Sequence, residues 1–493
     1  MRKFIDKFVD GAVGLVNKFL PDAFIFASIL TFVCMLFAII VMFSFETPSK
    51  NLKGDGEATF LGKFTALIFH GWYGGFWSLL GFSMQMSLII VTGDIFANTP
   101  QMKKVMTALA RIPKNPGQAV AFEAFFSIFV AFFQWGAALI MSAMLAKDIA
   151  RNVPGTHFAL LVACGYLGLG MWHGGFSGSI PLQLPDAEYI TLDPAHPPMQ
   201  IPFKYTLFAG YNLFNYIGGM IILPLMFLGL HPKADKTVVC DPAILVEEEE
   251  VVEKEVPKEE QYINYKLNRA YWVNYGMVVI GFIAIICYFV RLIGRPFSLD
   301  ISFVNALFLF IAMALHGRPN KVIEAVGKAV PGAAGVILQF PFYGGIAGLM
   351  VYEGGYATND SLAEVVSNFF VEISTPTTYT LLTFFSAGLI NFFIPSGGSQ
   401  WKVQGPIVMP AANKMALTEY KGGVAYGSED YKAYLGKSAL ALAWGDSWTN
   451  LIQPFWALPL LAIAHLEAKD IMGYCVLALI VLGVWVSIGF LIL

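Results

Sequence analysis

The residues of this chain that could hold a ligand lie in clusters of glycine, serine and threonine that interrupt long apolar runs. Pro395-Ser-Gly-Gly-Ser-Gln400 contains Ser396, Gly397, Gly398 and Ser399, followed by Trp401 and Lys402. Gly170-Met-Trp-His-Gly-Gly-Phe-Ser-Gly-Ser179 contains His173, Gly174, Gly175, Ser177 and Ser179. Gly445-Asp-Ser-Trp-Thr-Asn450 contains Asp446, Ser447, Thr449 and Asn450, and Gln134, Trp135 and Gly136 break a further apolar run. Backbone that leaves a helix at membrane depth finds no partner in lipid, so such breaks survive where they line an enclosed or wet cavity. Half-helix N-termini there offer free N–H groups and a positive dipole end, which suit an anion. Unwound carbonyls and half-helix C-termini suit a coupling cation. The hydroxyls of Ser177, Ser179, Ser396, Ser399 and Thr449 are the candidate donors. The aromatic surroundings, Trp135, Trp172, Phe176, Trp401 and Trp448, suit a small acid with a hydrocarbon tail, although each tryptophan equally suits helix packing or an interfacial belt.

Two charged residues lie in or beside these breaks. Asp446 is the acid best placed in the apolar core, because Asp94 and Glu123 are expected nearer the cytoplasmic ends of their segments, within reach of interface water or a helix cap. A carboxylate at midplane depth costs a few kcal/mol even on lenient scales and is usually functional and paired. With Ser447 it is expected to serve a coupling ion, either as an Na+ ligand or as a proton acceptor; an ion pair with Lys402 or a helix cap is the structural alternative. Lys402 either faces the site and holds carboxylate or extends outward to the interface.

The elements that position these residues follow from hydropathy. Of 493 residues, 57% are hydrophobic and 13% charged, mean hydropathy is +0.63, and runs of about twenty apolar residues recur, as in a polytopic all-α membrane protein. Five cysteines without paired spacing indicate neither a disulfide framework nor a zinc site. Residues 1–20 read as an amphipathic surface helix. The first repeat, 21–230, opens with a span to about Phe45, a polar loop and a segment from Gly74 to Ala97. The stretches 116–149 and 376–412 are each too long for one span and too short for two, and both read as re-entrant hairpins. The stretches 158–184 and 436–465 read as broken helices, the second interrupted at 445–450. Residues 231–270, with Glu247 to Glu250, read as a cytoplasmic acidic linker, and 353–378 as an outside loop between spans of the second repeat, 271–493. A cytoplasmic N-terminus puts most Lys and Arg inside. That topology makes the repeats inverted, each with one hairpin and one broken helix, their tips meeting near the midplane. Gly81-Phe-Ser-Met-Gln85 and Gly335-Val-Ile-Leu-Gln339 mark matching positions.

Leu20-Pro-Asp-Ala-Phe-Ile-Phe, the run from Gly81 to Gly93, His173-Gly-Gly-Phe-Ser-Gly-Ser-Ile-Pro181, Gln339-Phe-Pro-Phe-Tyr-Gly344, Ile394-Pro-Ser-Gly-Gly398, Gln404-Gly-Pro406 and Gln453-Pro-Phe-Trp-Ala-Leu-Pro459 carry a resemblance. Over nearly the whole chain except the acidic linker, the sequence resembles the bacterial short-chain fatty acid transporter family of the ion transporter superfamily. The resemblance implies cation-coupled uptake of monocarboxylates such as acetoacetate or butyrate across the inner membrane, in a homodimer with an elevator-like moving domain. His173 stands where the family pattern has glycine, and Lys402 where it has an apolar residue. Added positive charge could accommodate a second carboxylate, so a carrier of dicarboxylates or other organic anions is the alternative. A membrane-embedded enzyme lacks support: there is no H-E-x-x-H, no G-x-S-x-G and no His/Asp pair at metal-ligand spacing in the spans. An anion channel would show neither saturation nor counterflow. The expected partners are a small carboxylate and the bilayer, with no nucleic acid and no cofactor beyond a coupling H+ or Na+.

Overall fold

The computed structural model describes residues 21, 23–44, 60–185, 199–245, 262–291, 301–352 and 361–493, with single positions at 11, 14, 18 and 293. The surface helix expected over 1–20, apart from three of those positions, and the acidic run 247–250 lie outside the described residues. The described chain is helical, with no strand. Seven of its helical stretches are long and apolar enough to cross a bilayer, and an eighth passes the same test as a pair bent by 43°. The protein is a polytopic all-α membrane protein.

The first half begins with α1 (Ala23–Ser44), then α2 (Phe60–Ala66), a π-helical turn (Leu67–Tyr73), α3 (Gly74–Ser78) and α4 (Leu80–Ala97). The polar loop expected up to residue 73 is therefore shorter, and helix begins at Phe60. Gly71 and Gly75 do not break it; they admit another helix. A Cβ on Gly75 would lie 2.5 Å from the Gly344 carbonyl oxygen, so Gly71 and Gly75 face Gly344 and Gly348 at backbone distance. This is the small-residue packing that membrane helices use where hydrophobic drive is absent.

Next come α5 (Pro100–Ala110) and the pair α6 (Pro116–Phe133) and α7 (Trp135–Asn152). Asn115 caps α6 by accepting from Gln118 N (2.9 Å), with Pro116 at the first helical position. Gln134 ends one helix and starts the next: its backbone is extended, and its side chain accepts from Ala137 N (2.7 Å). Glu123 on α6 and Ser142 on α7 face the same point of Gly165, so the two arms fold back as a hairpin. Then α8 (Phe158–Tyr166) runs through 3-10 turns at 167–170 and 172–174 to α9 (Ser179–Gln183), and α10 (Gly210–Leu230) closes the half. The break at 170–179 is where four glycines and two serines deny a helix interior.

The second half holds α11 (Tyr271–Arg291), α12 (Ile301–His316), α13 (Pro319–Ala329), α14 (Ala334–Val351), α15 (Leu362–Glu372), α16 (Tyr379–Asn391), α17 (Gly397–Thr418), α18 (Glu429–Thr449), α19 (Pro454–Ala464) and α20 (Ala468–Ile492). α15 was expected to be loop; a Ser361–Glu364 capping box starts it. The second hairpin's outer arm runs beyond 412 to Thr418, with Pro406 and Pro410 inside the helix. The second broken helix breaks later than expected, at a 3-10 turn over Asn450–Ile452 and an extended Gln453, so Asp446 and Ser447 belong to the last turns of an intact α18. Gly445 is again an approach rather than a break, since a Cβ there would strike the Phe384 carbonyl of α16. The order of span, short helix, hairpin, broken helix and span thus occurs twice: α4 to α10 and α14 to α20.

One junction outside the spans titrates. The His157 N–H, at the start of α8, donates to Nε2 of His231 (3.1 Å) just after α10, so His231 keeps its proton on Nδ1, which faces the Pro232 carbonyl (2.9 Å). Tyr474 of α20 reaches His157 Nε2 (3.3 Å). Burial, and next the neighbouring His231, pull His157 from an ordinary 6.5 to about 4. The folded state therefore holds His157 neutral where the unfolded chain binds a proton, so stability is lost as pH falls from 6.5 toward 4. By pH 5 the loss is about 2 kcal/mol. Thermal melting in detergent should fall between pH 7 and pH 5, and His157→Gln should flatten that slope; an unchanged slope would remove His157 from the account.

Candidate functional site

Both hairpin tips pack on the 170–179 segment. From the first tip, the Ala131 and Phe132 carbonyls accept from Ser177 Oγ (2.5 Å) and Ser177 N (3.2 Å). Trp135 packs against Trp172 and Trp456, with ring centroids 5.7 and 5.0 Å apart. From the second tip, the first turn of α17 meets the same segment from another side: a Cβ on Gly397 would strike the imidazole of His173 and come within 2.8 Å of Ser179 Oγ. The second break repeats the first pattern, because Gln453 Nε2 donates to the Phe392 carbonyl (3.0 Å) at the end of α16.

The two broken helices also grip each other. Tyr166 OH reaches the Asn450 (2.7 Å) and Gln453 (2.9 Å) carbonyls. Trp444 Nε1 donates to Asn212 Oδ1 (2.8 Å), and Asn212 Nδ2 donates to the Gly174 carbonyl (2.9 Å). At the centre, His173 Nδ1 lies 2.8 Å from the Ala443 carbonyl and 3.2 Å from Asp446 Oδ2, while its Nε2 lies 3.1 Å from Ser179 Oγ. His173 is 0% exposed and Asp446 1%. The Nδ1–H tautomer satisfies this geometry: it donates toward α18 and leaves Nε2 to accept from Ser179.

The N-terminus of α17 completes the arrangement. Ser396 stands at its N-cap position, extended, and its side chain makes no cap hydrogen bond. The first-turn N–H groups of Gly397, Gly398 and Ser399 thus have no helical acceptor. No neighbouring atom lies within 4 Å of a Cβ placed on Gly398. An uncapped helix start beside an imidazole and a carboxylate can take an anion at the amides and a cation at the carboxylate.

The expected site residues therefore divide. His173, Ser179, Gly397 and Asp446 converge, with Ser396, Gly398 and Ser399 beside them. Gln134 serves as a helix cap, and Trp135, Gly174 and Gly175 pack against aromatic or backbone neighbours. A side chain on Gly136 would strike Ile89. Ser447 donates to the Trp444 carbonyl (3.2 Å) and Thr449 to the Gly388 carbonyl (3.0 Å), so these hydroxyls and that of Ser177 satisfy backbone. Asn450 Oδ1 accepts from Asn391 Nδ2 (2.8 Å). Lys402 is exposed, and the ionisable side chain beside Asp446 is instead His173, 3.2 Å away. Lys402→Met should accordingly leave substrate affinity within about twofold in a binding titration; a tenfold loss would put its ammonium at the ligand.

Sequence reasoning missed Asn391, Gln453, Tyr166 and Asn212, which hold the breaks together, and misplaced Glu123. That residue is fully enclosed in the interior of α6 rather than at an interface. Gln453 does lie in a motif, Gln-Pro-Phe-Trp, which signalled that the position matters without indicating a role.

The short chain fatty acid transporter family model matches residues 4–493. A Haemophilus influenzae protein named for short-chain fatty acid transport is 36% identical over 469 residues, covering 94% of each chain. An Escherichia coli protein of the same description is 36% identical over 478 residues, covering 96% of each. Among solved structures, the chain is similar to the Alcanivorax borkumensis YdaH transporter at 14% identity and a TM-score of 0.42, covering 95% of this chain and 98% of that one. With one model spanning all but three residues and two relatives matched nearly end to end, the chain belongs to the short chain fatty acid transporter family.

Proposed function

We propose that this protein is a secondary active carrier of small monocarboxylates, such as acetoacetate or butyrate, driven by H+ or Na+ across the inner membrane with its N-terminus in the cytoplasm. The observation that carries the reading is the uncapped start of α17 lying against a buried His173–Asp446 pair. The substrate carboxylate accepts from the amides of Gly397, Gly398 and Ser399, with the hydroxyls of Ser396 and Ser399 in reach. The coupling cation is held at Asp446, and its charge lies close enough to the bound anion for each to favour the other. Coupling of this kind is reciprocal: whatever the cation adds to anion affinity, the anion adds to cation affinity. The doubled order of elements supports two repeats, which we take to be inverted, alternating access by elevator-like movement of the hairpins and broken helices in a homodimer.

The test is counterflow. Purified protein in liposomes, preloaded with each of a panel of C2 to C6 monocarboxylates and dicarboxylates, should take up labelled monocarboxylate transiently and saturably. Preference for dicarboxylates would shift the reading to the other organic anions, with His173 facing the second carboxylate. Linear flux without counterflow would mean a pore. Repeating the panel with and without Na+ assigns the cation.

A further inference from the structure

We propose that Glu123, faced by Ser142, is a second cation site of the carrier and that its cation is a proton. The site lies on the arms of the first hairpin, away from His173 and Asp446, and its role rests on the carrier reading above. Glu123 is 0% exposed at the eighth residue of α6, and neither carboxyl oxygen has a hydrogen-bond partner among the described residues. Ser142 of α7, beside it, is equally enclosed, and its hydroxyl is unpaired as well. Gly165 of α8 closes the third side. A Cβ there would fall 3.1 Å from Glu123 Oε1, 2.9 Å from Ser142 Cβ and 3.3 Å from Leu460 of α19, so the backbone is bare where the Glu123 carboxyl and the Ser142 side chain approach it. Among the described residues, the titratable group nearby is a thiol: Cys164 of α8 stands near Glu123, and Cys475 of α20 stands near Cys164. No Lys, Arg or His of the described residues pairs with this carboxyl.

A carboxylate enclosed in this way without a counter-charge is unstable, so the group is neutralised. A metal cation would need about six oxygens. The pocket offers three from side chains, and the next hydroxyl along the same face, Ser127, is already donated to the Gly165 carbonyl (2.6 Å). A proton needs only one carboxyl oxygen, and the acid so formed can donate to Ser142. With α6, α7 and α8 packed, the proton has no route to water. It is gained or lost when the hairpin arms and α8 part, and the charged form left behind opposes their closing until a proton returns. Glu123 thereby ties proton exchange to the movement of the hairpin.

The protein is tested intact in liposomes. Dicyclohexylcarbodiimide takes the proton of an enclosed carboxylic acid and bonds its oxygen, and the adduct rearranges to a stable N-acylurea containing all atoms of both. Peptide mass spectrometry should find that adduct on Glu123, falling at least fivefold between pH 6 and pH 9. Absence of label, a yield unchanged by pH, or protection by Na+ at constant pH each overturns the proposal. In Glu123→Gln, accumulation driven by a pH gradient, divided by the counterflow rate of the same preparation, should fall about tenfold, and a ratio within twofold of the parent also overturns it. If Glu123→Gln does not assemble, Ser142→Ala is read by labelling, where an unchanged pH dependence removes Ser142 from the site. Failure of counterflow in the parent protein would end the carrier reading, while the labelling result still decides whether Glu123 holds a proton.

Discussion

Asp446→Asn is expected to abolish concentrative uptake while exchange of substrate across the membrane continues at a measurable rate. The amide keeps the shape of the carboxyl and loses its charge. A tenfold gradient of a singly coupled cation carries about 1.4 kcal/mol, enough to hold a tenfold substrate gradient; without coupling the internal and external concentrations level at a ratio of one. In the parent protein Asp446 is 1% exposed, and His173 Nδ1, 3.2 Å away, is its only ionisable partner among the described residues. Replacing it by Asn leaves the imidazole its hydrogen bond to the Ala443 carbonyl (2.8 Å), so His173 has a reason to stay in place. The measurement is the steady-state accumulation ratio in proteoliposomes under an imposed gradient, beside counterflow in the same vesicles. A ratio equal to that of the parent would remove Asp446 from coupling. Loss of both readouts would mean that the carboxylate holds the site together.

The contrast between Gly445 and the 170–179 segment explains how far sequence could be read. Both are glycine-bearing and polar within apolar runs, and both were expected to break their helices. Four glycines and two serines in ten residues cannot sustain a helix, so 170–179 is irregular wherever it packs. A single glycine has two uses, and at 445 the neighbouring Phe384 carbonyl uses it for close approach while the helix continues to Thr449. Only the partner helix distinguishes the two, and sequence does not name it. The same limit hid Gly71 and Gly75. Hydroxyls posed a related difficulty: Ser177, Ser447 and Thr449 were expected to face a ligand, yet each meets a carbonyl freed by a break or a helix turn. Depth was the third limit. Glu123 lies only seven positions after Pro116, which suggested interface water, but its helix, the partner arm and α8 enclose that level of the bundle.

Gly397→Ala is expected to reduce uptake by more than tenfold because there is no room for one methyl group where α17 meets His173. The new Cβ would strike the imidazole and approach Ser179 Oγ at 2.8 Å. The ring cannot swing aside freely: Nδ1 is held by the Ala443 carbonyl beside Asp446, and Nε2 faces Ser179. Either the tip of α17 retreats, spoiling the proposed amide cradle, or the ring leaves Asp446, spoiling the proposed cation site. Overpacking of this kind costs about 1–3 kcal/mol, which should appear as a lower melting temperature in detergent. Gly398→Ala is the matched control for stability, since nothing lies within 4 Å of the added carbon and alanine favours the helix. Adding His173→Ala to Gly397→Ala should recover most of the lost stability but not concentrative uptake, because the double change removes the clash and the imidazole together. Parent-like melting and uptake in Gly397→Ala would show that the tip of α17 does not press on His173, and the site built on that contact would have to be abandoned.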